Sequence, residues 1–332
     1  MRGRLLLVLV LGAMGPAAAA SAQQPPPAAP PPAAPTPPAP PAAGTLRLAL
    51  EHVSGHVPTV LAGDRYRVRG TVTPYVAGQR AVVRVRRGAR KLVVRRVAVR
   101  RSSTGRTGSF LLGLRAGRAG RLWVTASHAA TTQQRTMVAR PHTLDVLPRR
   151  VGPGSPRSAV RILQARLAAI GYVVGRRGAF DGRTARAVVA FRKVTGMART
   201  AAASSPVLRR LARDGGHFKA RFASNGRHVE ADLSRQVLVL IDRGRVQRIY
   251  PTSSGKASTP TIRGQFRIYR KSFGTNALGM VHAAYFQGGY AIHGYHAVPV
   301  YNASHGCLRV PVPDALSIFR WVQRGTRVDV YG

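Results

Sequence analysis

Ser304-His305-Gly306-Cys307-Leu308-Arg309 holds the only cysteine of the chain, preceded by a histidine-glycine pair. A second such pair, His293-Gly294, closes the apolar run Tyr290-Ala291-Ile292 upstream. A lone thiol cannot form an internal disulfide, so packing is a weak reason to keep it where oxidation is a hazard. One thiol with two histidines nearby is the composition of a cysteine nucleophile and its base, which points to acyl transfer. A free thiol is mostly protonated near neutral pH and needs a base or an electropositive site. His293 is the candidate base for Cys307. His305 is a candidate to line the site, and Gly306 lets backbone approach a substrate. The backbone N–H groups of Gly306 and Cys307 are candidate oxyanion donors. The Ser304 hydroxyl is expected to support the turn, and Ser304, Arg309 and Tyr285 are the candidate substrate contacts. The plainer alternatives are a small buried hydrophobe for Cys307 and a structural ring for His293. His282 and His296 read as bystanders, and Tyr285 and Phe286 as a loop before the His-Gly strand.

Around these residues the chain is β-rich. Val229 to Leu238 reads as strand, turn and strand, with Gly244 separating a further strand from Arg245 to Pro251. Pro313 and Asp314 start a short helix, Ala315 to Val322, before a closing strand from Val328 to Tyr331. A zinc site built from His293, His296, His305 and Cys307 is the alternative chemistry, although the spacing is loose and no carboxylate stands nearby as a hydrolytic base.

The other end reads as an export signal. Arg2 and Arg4 precede the apolar run Leu5 to Leu11, and Ala20-Ser21-Ala22 offers a cleavage site, so residues 1–22 are expected to be removed. The apolar run is shorter than the ~20 residues a span needs, so no stable membrane span is expected after cleavage. Residues 23–44 are a proline-alanine tract that favours an extended spacer. With 53 Lys and Arg against 10 Asp and Glu, the net charge is +43. Such a field attracts polyanions. With an export signal, anionic wall polymers or lipid surfaces are the expected partners, not nucleic acid, although arginine-heavy usage is also a compositional habit.

Between the spacer and the cysteine region two further patterns follow. Residues 45–147 alternate apolar and polar in short runs, such as Leu46-x-Leu48-x-Leu50 and Val83-x-Val85, split by glycine turns. About seven such strands in about a hundred residues predict an immunoglobulin-like β-sandwich. Residues 148–216 switch to helical spacing: Val160, Leu163, Leu167 and Ile170, then Ala185, Val188 and Phe191 from a helix over Thr184 to Val194. Ser205-Pro206 is expected to start a third helix, with the serine as its cap.

Two resemblances give these patterns a meaning. Val160-x-x-Leu163-Gln164-x-x-Leu167, Gly171-Tyr172 and Gly178-x-Phe180-x-Gly182-x-Thr184-x-x-Ala187-Val188-x-x-Phe191 resemble the three-helix peptidoglycan-binding domain found beside wall enzymes. They depart from it at Arg192, where glutamine is frequent. Asp232-Leu233-Ser234-x-Gln236, Tyr250-x-x-Ser253-x-Gly255, Thr259-Pro260-Thr261, His293-Gly294 and the hexapeptide at 304–309 resemble the L,D-transpeptidase catalytic domain. At Arg309 some members carry asparagine. The resemblance runs from about Val229 to Tyr331 and implies a mostly β catalytic domain over 217–332, with Cys307 as nucleophile, His293 as base and the Gly294 carbonyl holding its ring. It implies a wall-located, secreted or periplasmic enzyme that releases D-alanine from a tetrapeptide stem and forms 3→3 cross-links with another stem. The partners are then peptidoglycan stem peptides and glycan, with no cofactor and no metal. An L,D-carboxypeptidase using the same site and a non-catalytic wall-binding protein remain the alternatives.

Overall fold

The computed structural model describes residues 39–332; the expected signal segment and most of the spacer lie outside the described residues. These described residues are mostly β with four helices.

The first part has ten strands: β1 (Thr45–Glu51), β2 (Thr59–Leu61), β3 (Arg65–Thr73), β4 (Arg80–Arg87), β5 (Arg90–Ala98), β6 (Arg100–Arg101), β7 (Gly108–Arg115), β8 (Gly120–His128), β9 (Met137–Val138) and β10 (His142–Leu147). One sheet runs β1-β3-β7-β6 and the other β2-β10-β8-β4-β5, with β9 on β8. The two-residue period puts Tyr66, Val68 and Val72 inward from β3 while Arg65, Arg67 and Arg69 face water. Both sheets feed one core that includes Leu46, Val83, Val124 and Leu144. The additional strands beyond the seven expected are short or, like β10, lack a clean alternation; β2 pairs with β10 in parallel, a contact no local pattern announces.

Three helices follow: α1 (Arg157–Ala169), α2 (Gly182–Val194) and α3 (Ser205–Ala212). Asp181 caps α2, its Oδ1 accepting from Thr184 N at 2.8 Å, so the helix starts two residues earlier than the apolar spacing alone suggests. Ser204, not Ser205, is the N-cap residue of α3; Ser205 Oγ donates instead to Arg149 O at 3.0 Å. Ala185 is only half-buried, whereas Ala187, Val188 and Phe191 are fully inside. Arg192 is buried, and its guanidinium donates to the carbonyls of Ala198 and Ala202 and to Ser204 Oγ.

The last part has β11 (His228–Asp232), β12 (Val237–Asp242), β13 (Arg245–Pro251), β14 (Gly264–Arg267), β15 (Arg270–Thr275), β16 (Val281–Gln287), β17 (Tyr290–Tyr295), β18 (Leu308–Pro311), α4 (Val312–Trp321) and β19 (Arg327–Tyr331). The sheets are ordered β13-β12-β11-β19-β14 and β15-β16-β17-β18. A core of Val229, Leu238, Ile292, Leu308 and Val310 lies among them, with Ala315 and Ile318 of α4 packed in.

The helices are not an independent bead. One continuous core takes Leu61 and Leu147 from the first part, the buried faces of α1, α2 and α3, and Val237, Val239, Ile241 and Ile249 from β12 and β13. Arg183 of α2 pairs with Asp314 in the first turn of α4 at 2.6 Å, and Asp314 is buried. Among the described residues no helix is long and apolar enough to cross a membrane.

Candidate active site

β17 and β18 run in parallel, with His293 opposite Arg309 and Ile292 opposite Leu308. Side chains alternate along a strand, so Ile292, Leu308 and Val310 turn to the core. Ala291, His293, Cys307 and Arg309 turn to the other face, where Met280, Ala283 and Tyr285 of the neighbouring segment pack. Tyr285 is therefore a strand residue of β16, paired with Ala291, and not part of a loop. Tyr285 of β16, Ala291 of β17 and Cys307, just before β18, pack together on this face. Arg270 lies over the Tyr285 ring at 4.1 Å.

His293 is buried, and its Nδ1 lies 2.9 Å from Gly294 O. A carbonyl only accepts, so Nδ1 carries the proton and Nε2 keeps its lone pair. Gly294 has a second duty: a Cβ there would meet Ala315 Cβ at 2.7 Å, so only glycine lets α4 pack this closely. Burial lowers the His293 pKa; the Gly294 hydrogen bond opposes this and Arg309 adds to it. Burial likewise raises the half-buried Cys307 thiol, while a hydrogen bond from the Ala291 backbone and the charge of Arg309 pull it down. Both shifts favour a neutral thiol beside a neutral imidazole. The thiol donates to Gly289 O at 3.5 Å and makes no hydrogen bond to His293.

The 304–307 loop is held from behind. Ser304 is buried, its Oγ donating to Cys307 O at 2.6 Å and accepting from Gly306 N at 3.1 Å. That hydroxyl and the Gly306 amide are spent within the loop. Gly306 has φ +116°, and a Cβ would lie 2.7 Å from the Tyr290 ring. Thr261 Oγ1 donates to Gly306 O at 2.7 Å and accepts from Gly255 N at 2.8 Å. Ser254 O accepts from Ala303 N and Ser304 N, and Gln236 bonds Ser254 through both ends of its amide. Thus Gln236, Ser254, Gly255 and Thr261 form one platform under the cysteine loop. Lys193 of α2 completes it: its buried Nζ donates to Gln236 O at 3.0 Å and Thr252 O at 2.9 Å. Desolvation, with the charge of Arg199 adding, lowers its pKa to about 7.

His305, within the same loop, is exposed. Arg309 lies over Tyr295 at 4.1 Å, and Tyr295 meets His293 edge-on at 5.7 Å. His296 stacks on Tyr295 at 4.3 Å, and His282 packs on Phe273 at 4.6 Å. The four residues of the zinc alternative are thus dispersed, and among the described residues no group of three or more such side chains could hold a metal ion. Tyr295 was missed in the sequence, although a period of two from His293 places it on the same face. Lys193 had no sequence signal, because its contact joins two parts of the chain.

Comparison with known proteins follows the same division. The family model of the L,D-transpeptidase catalytic domain matches residues 226–330, and that of a peptidoglycan-binding domain matches 156–211. No match was found among curated proteins. The crystal structure of an L,D-transpeptidase from Xylanimonas cellulosilytica is 33% identical over 55% of this chain and 98% of its own, with a TM-score of 0.50. The catalytic domain of the Enterococcus faecium L,D-transpeptidase is 26% identical over 32% of this chain and 98% of its own, with a TM-score of 0.28. An L,D-transpeptidase from Mycobacterium smegmatis is 13% identical over 86% of this chain and 99% of its own, with a TM-score of 0.29. The near-complete coverage of that crystallised Xylanimonas chain, its residues 123–326, at that identity, with the catalytic-domain match spanning both His293 and Cys307, places this chain in the L,D-transpeptidase family.

Proposed function

We propose that the protein is a peptidoglycan L,D-transpeptidase that forms 3→3 cross-links through an acyl-enzyme on Cys307. The observation that carries the reading is the pairing of β17 with β18, which sets His293 and Cys307 on one face with Nε2 of His293 left free to accept a proton. In the first half-reaction Sγ attacks the carbonyl between the third and fourth residues of a tetrapeptide stem. His293 takes the thiol proton and passes it to the departing D-alanine amine as the C–N bond breaks, leaving a thioester. In the second, a side-chain amine of another stem attacks the thioester. It gives a proton to His293, which returns it to the sulfur as the C–S bond breaks.

The other assignments follow the geometry. The Cys307 amide is the oxyanion donor, since the Gly306 amide already serves Ser304. Ser304 shapes the loop instead of touching substrate, because its hydroxyl is engaged on both sides. Tyr285 packs beside the thiol over Ala291 as a substrate contact, Arg309 positions Tyr295 beside the base, and exposed His305 is left to meet substrate from the cysteine loop. We assign 217–332 to catalysis, 148–216 to holding peptidoglycan and 45–147 to spacing both from the wall attachment, in an extracytoplasmic setting. Anionic wall polymers fit the +43 charge as additional partners.

The test is mass spectrometry of products from the full chain and a disaccharide-tetrapeptide. A dimer lacking one D-alanine, absent with Cys307→Ala, is the expected result. Tripeptide alone would reassign the site to hydrolysis, and unchanged substrate with a folded, reduced enzyme would leave a wall-binding protein.

A further inference from the structure

Behind the cysteine loop, on the side of the platform away from the thiol, lies an open groove of about 590 Å³. Arg199, Lys256 and Arg263 line it together with Gly332, the last residue of the chain, and no Asp or Glu side chain does. A second hollow of about 430 Å³ shares Arg199 and Ser234 with it and continues along the C-terminal end of α2. The two adjoin at Arg199 and Ser234, where the helical part meets the catalytic part. Arg199 comes from the helical part and spans the boundary, donating to Val300 O at 2.9 Å and Ser234 O at 2.8 Å. Lys256 and Arg263 are exposed, and among the described residues neither they nor Arg199 pair with a carboxylate. These three line one concavity whose other lining is largely polar.

Part of that lining is the back of the catalytic loop. Gly255 and Thr261 line the groove, and Thr261 holds Gly306 O. The backbone of Lys256 donates to Ser304 O at 2.9 Å, and Asn302, also in the groove, donates to Gly255 O at 3.3 Å. Any ligand seated here lies one layer of hydrogen bonds from Cys307.

We propose that this groove is a second binding site, taking the carboxylates of peptide stems on a peptidoglycan strand at a distance from the bond being broken. The inference rests on the wall-enzyme reading above, since a multiply carboxylated strand is what would reach both the groove and the thiol. Three cations without side-chain carboxylate partners along one groove match such a chain of anions, and open access suits a polymer. Occupancy would brace the loop through Thr261 and the Lys256 backbone.

The experiment uses the full chain carrying Cys307→Ala, so that binding is read without turnover. The probe is a fluorescent, soluble glycan oligomer with tetrapeptide stems, compared with the same oligomer amidated at its stem carboxylates. Lys256→Gln with Arg263→Gln is expected to weaken binding of the carboxylate form roughly fivefold to tenfold and to flatten its salt dependence. Binding of the amidated form should stay unchanged. Because both side chains are exposed and unbonded, this pair preserves the fold; Arg199→Gln serves as the second variant, expected to act in the same direction. Equal binding by variant and parent, or equal weakening of both oligomers, overturns the proposal. Preference for poly(glycerol phosphate) over the carboxylated oligomer would overturn it in favour of a phosphodiester polymer. Product analysis with the thiol restored is separate: absent turnover with an intact charge-dependent binding difference would remove the enzyme reading and leave the groove.

Discussion

His293 donates its Nδ1 proton to the carbonyl of its own neighbour, Gly294, at 2.9 Å. The bond fixes one tautomer and leaves Nε2 as the only basic nitrogen. His293→Gln keeps the size and removes the base, so acylation of Cys307 by a tetrapeptide stem should slow by about 10²–10⁴. Stopped-time mass spectrometry of the thioester measures it. Acylation within about threefold of the parent would take His293 out of the base role.

Burial lowers the His293 pKa and raises that of Cys307, so the two do not form a thiolate–imidazolium pair at rest. As pH falls, activity should persist below the ordinary imidazole value and then drop as His293 gains its proton. Iodoacetamide should label Cys307 slowly at neutral pH, its rate rising only above the usual thiol range. A labelling plateau already reached at pH about 6 would signify a resting thiolate and reverse this assignment.

Two glycines near the site should fail differently when changed to alanine. Gly306→Ala meets both a φ of +116° and the Tyr290 ring, so the loop itself must move. The expected cost is about 1–3 kcal/mol in stability with loss of acylation. Gly294→Ala instead pushes on Ala315 of α4, a loss of about 1–3 kcal/mol from overpacking. Thermal melts and acylation rates of both variants check this; a Gly306→Ala enzyme with parental rate would show the loop adapts.

Lys193 is buried against two carbonyls and its pKa falls to about 7. The unfolded chain holds this proton up to the ordinary lysine value near 10.4, so between about 7 and 10 the unfolded state binds more protons. Stability from this group therefore rises with pH across that window and is flat outside it. The Tm of the parent should climb relative to Lys193→Met from about pH 7 to 10. Parallel curves would mean that Lys193 stays charged in the fold.

Much of the site was legible because its chemistry is local. The hexapeptide at 304–309 and the His293-Gly294 pair each carry their residues within a few positions, and strand period two orders them on faces. What stayed hidden depends on pairing between distant segments. Nothing in the surroundings of Tyr285 marks it as the strand partner of Ala291, and the helical spacing of α2 does not show Lys193 reaching Thr252. The Ser204–Ser205 choice at α3 was decided by Arg149, whose carbonyl takes the second hydroxyl. The ten-strand first part exceeded the expected seven because two-residue strands carry no periodicity.

The shared core around α2 bears on how such a chain can be cut and recombined. Val237, Val239, Ile241 and Ile249 are at most 1% exposed and are covered by the helical part. Excising residues 217–332 would bare them, forfeiting on the order of 6–12 kcal/mol. That rivals the whole margin by which a domain of this size stays folded. The helical segment is thus a lining for the catalytic part, whatever else it binds, and a graft of this catalytic part onto another scaffold would need those four positions rewritten before it could stand alone.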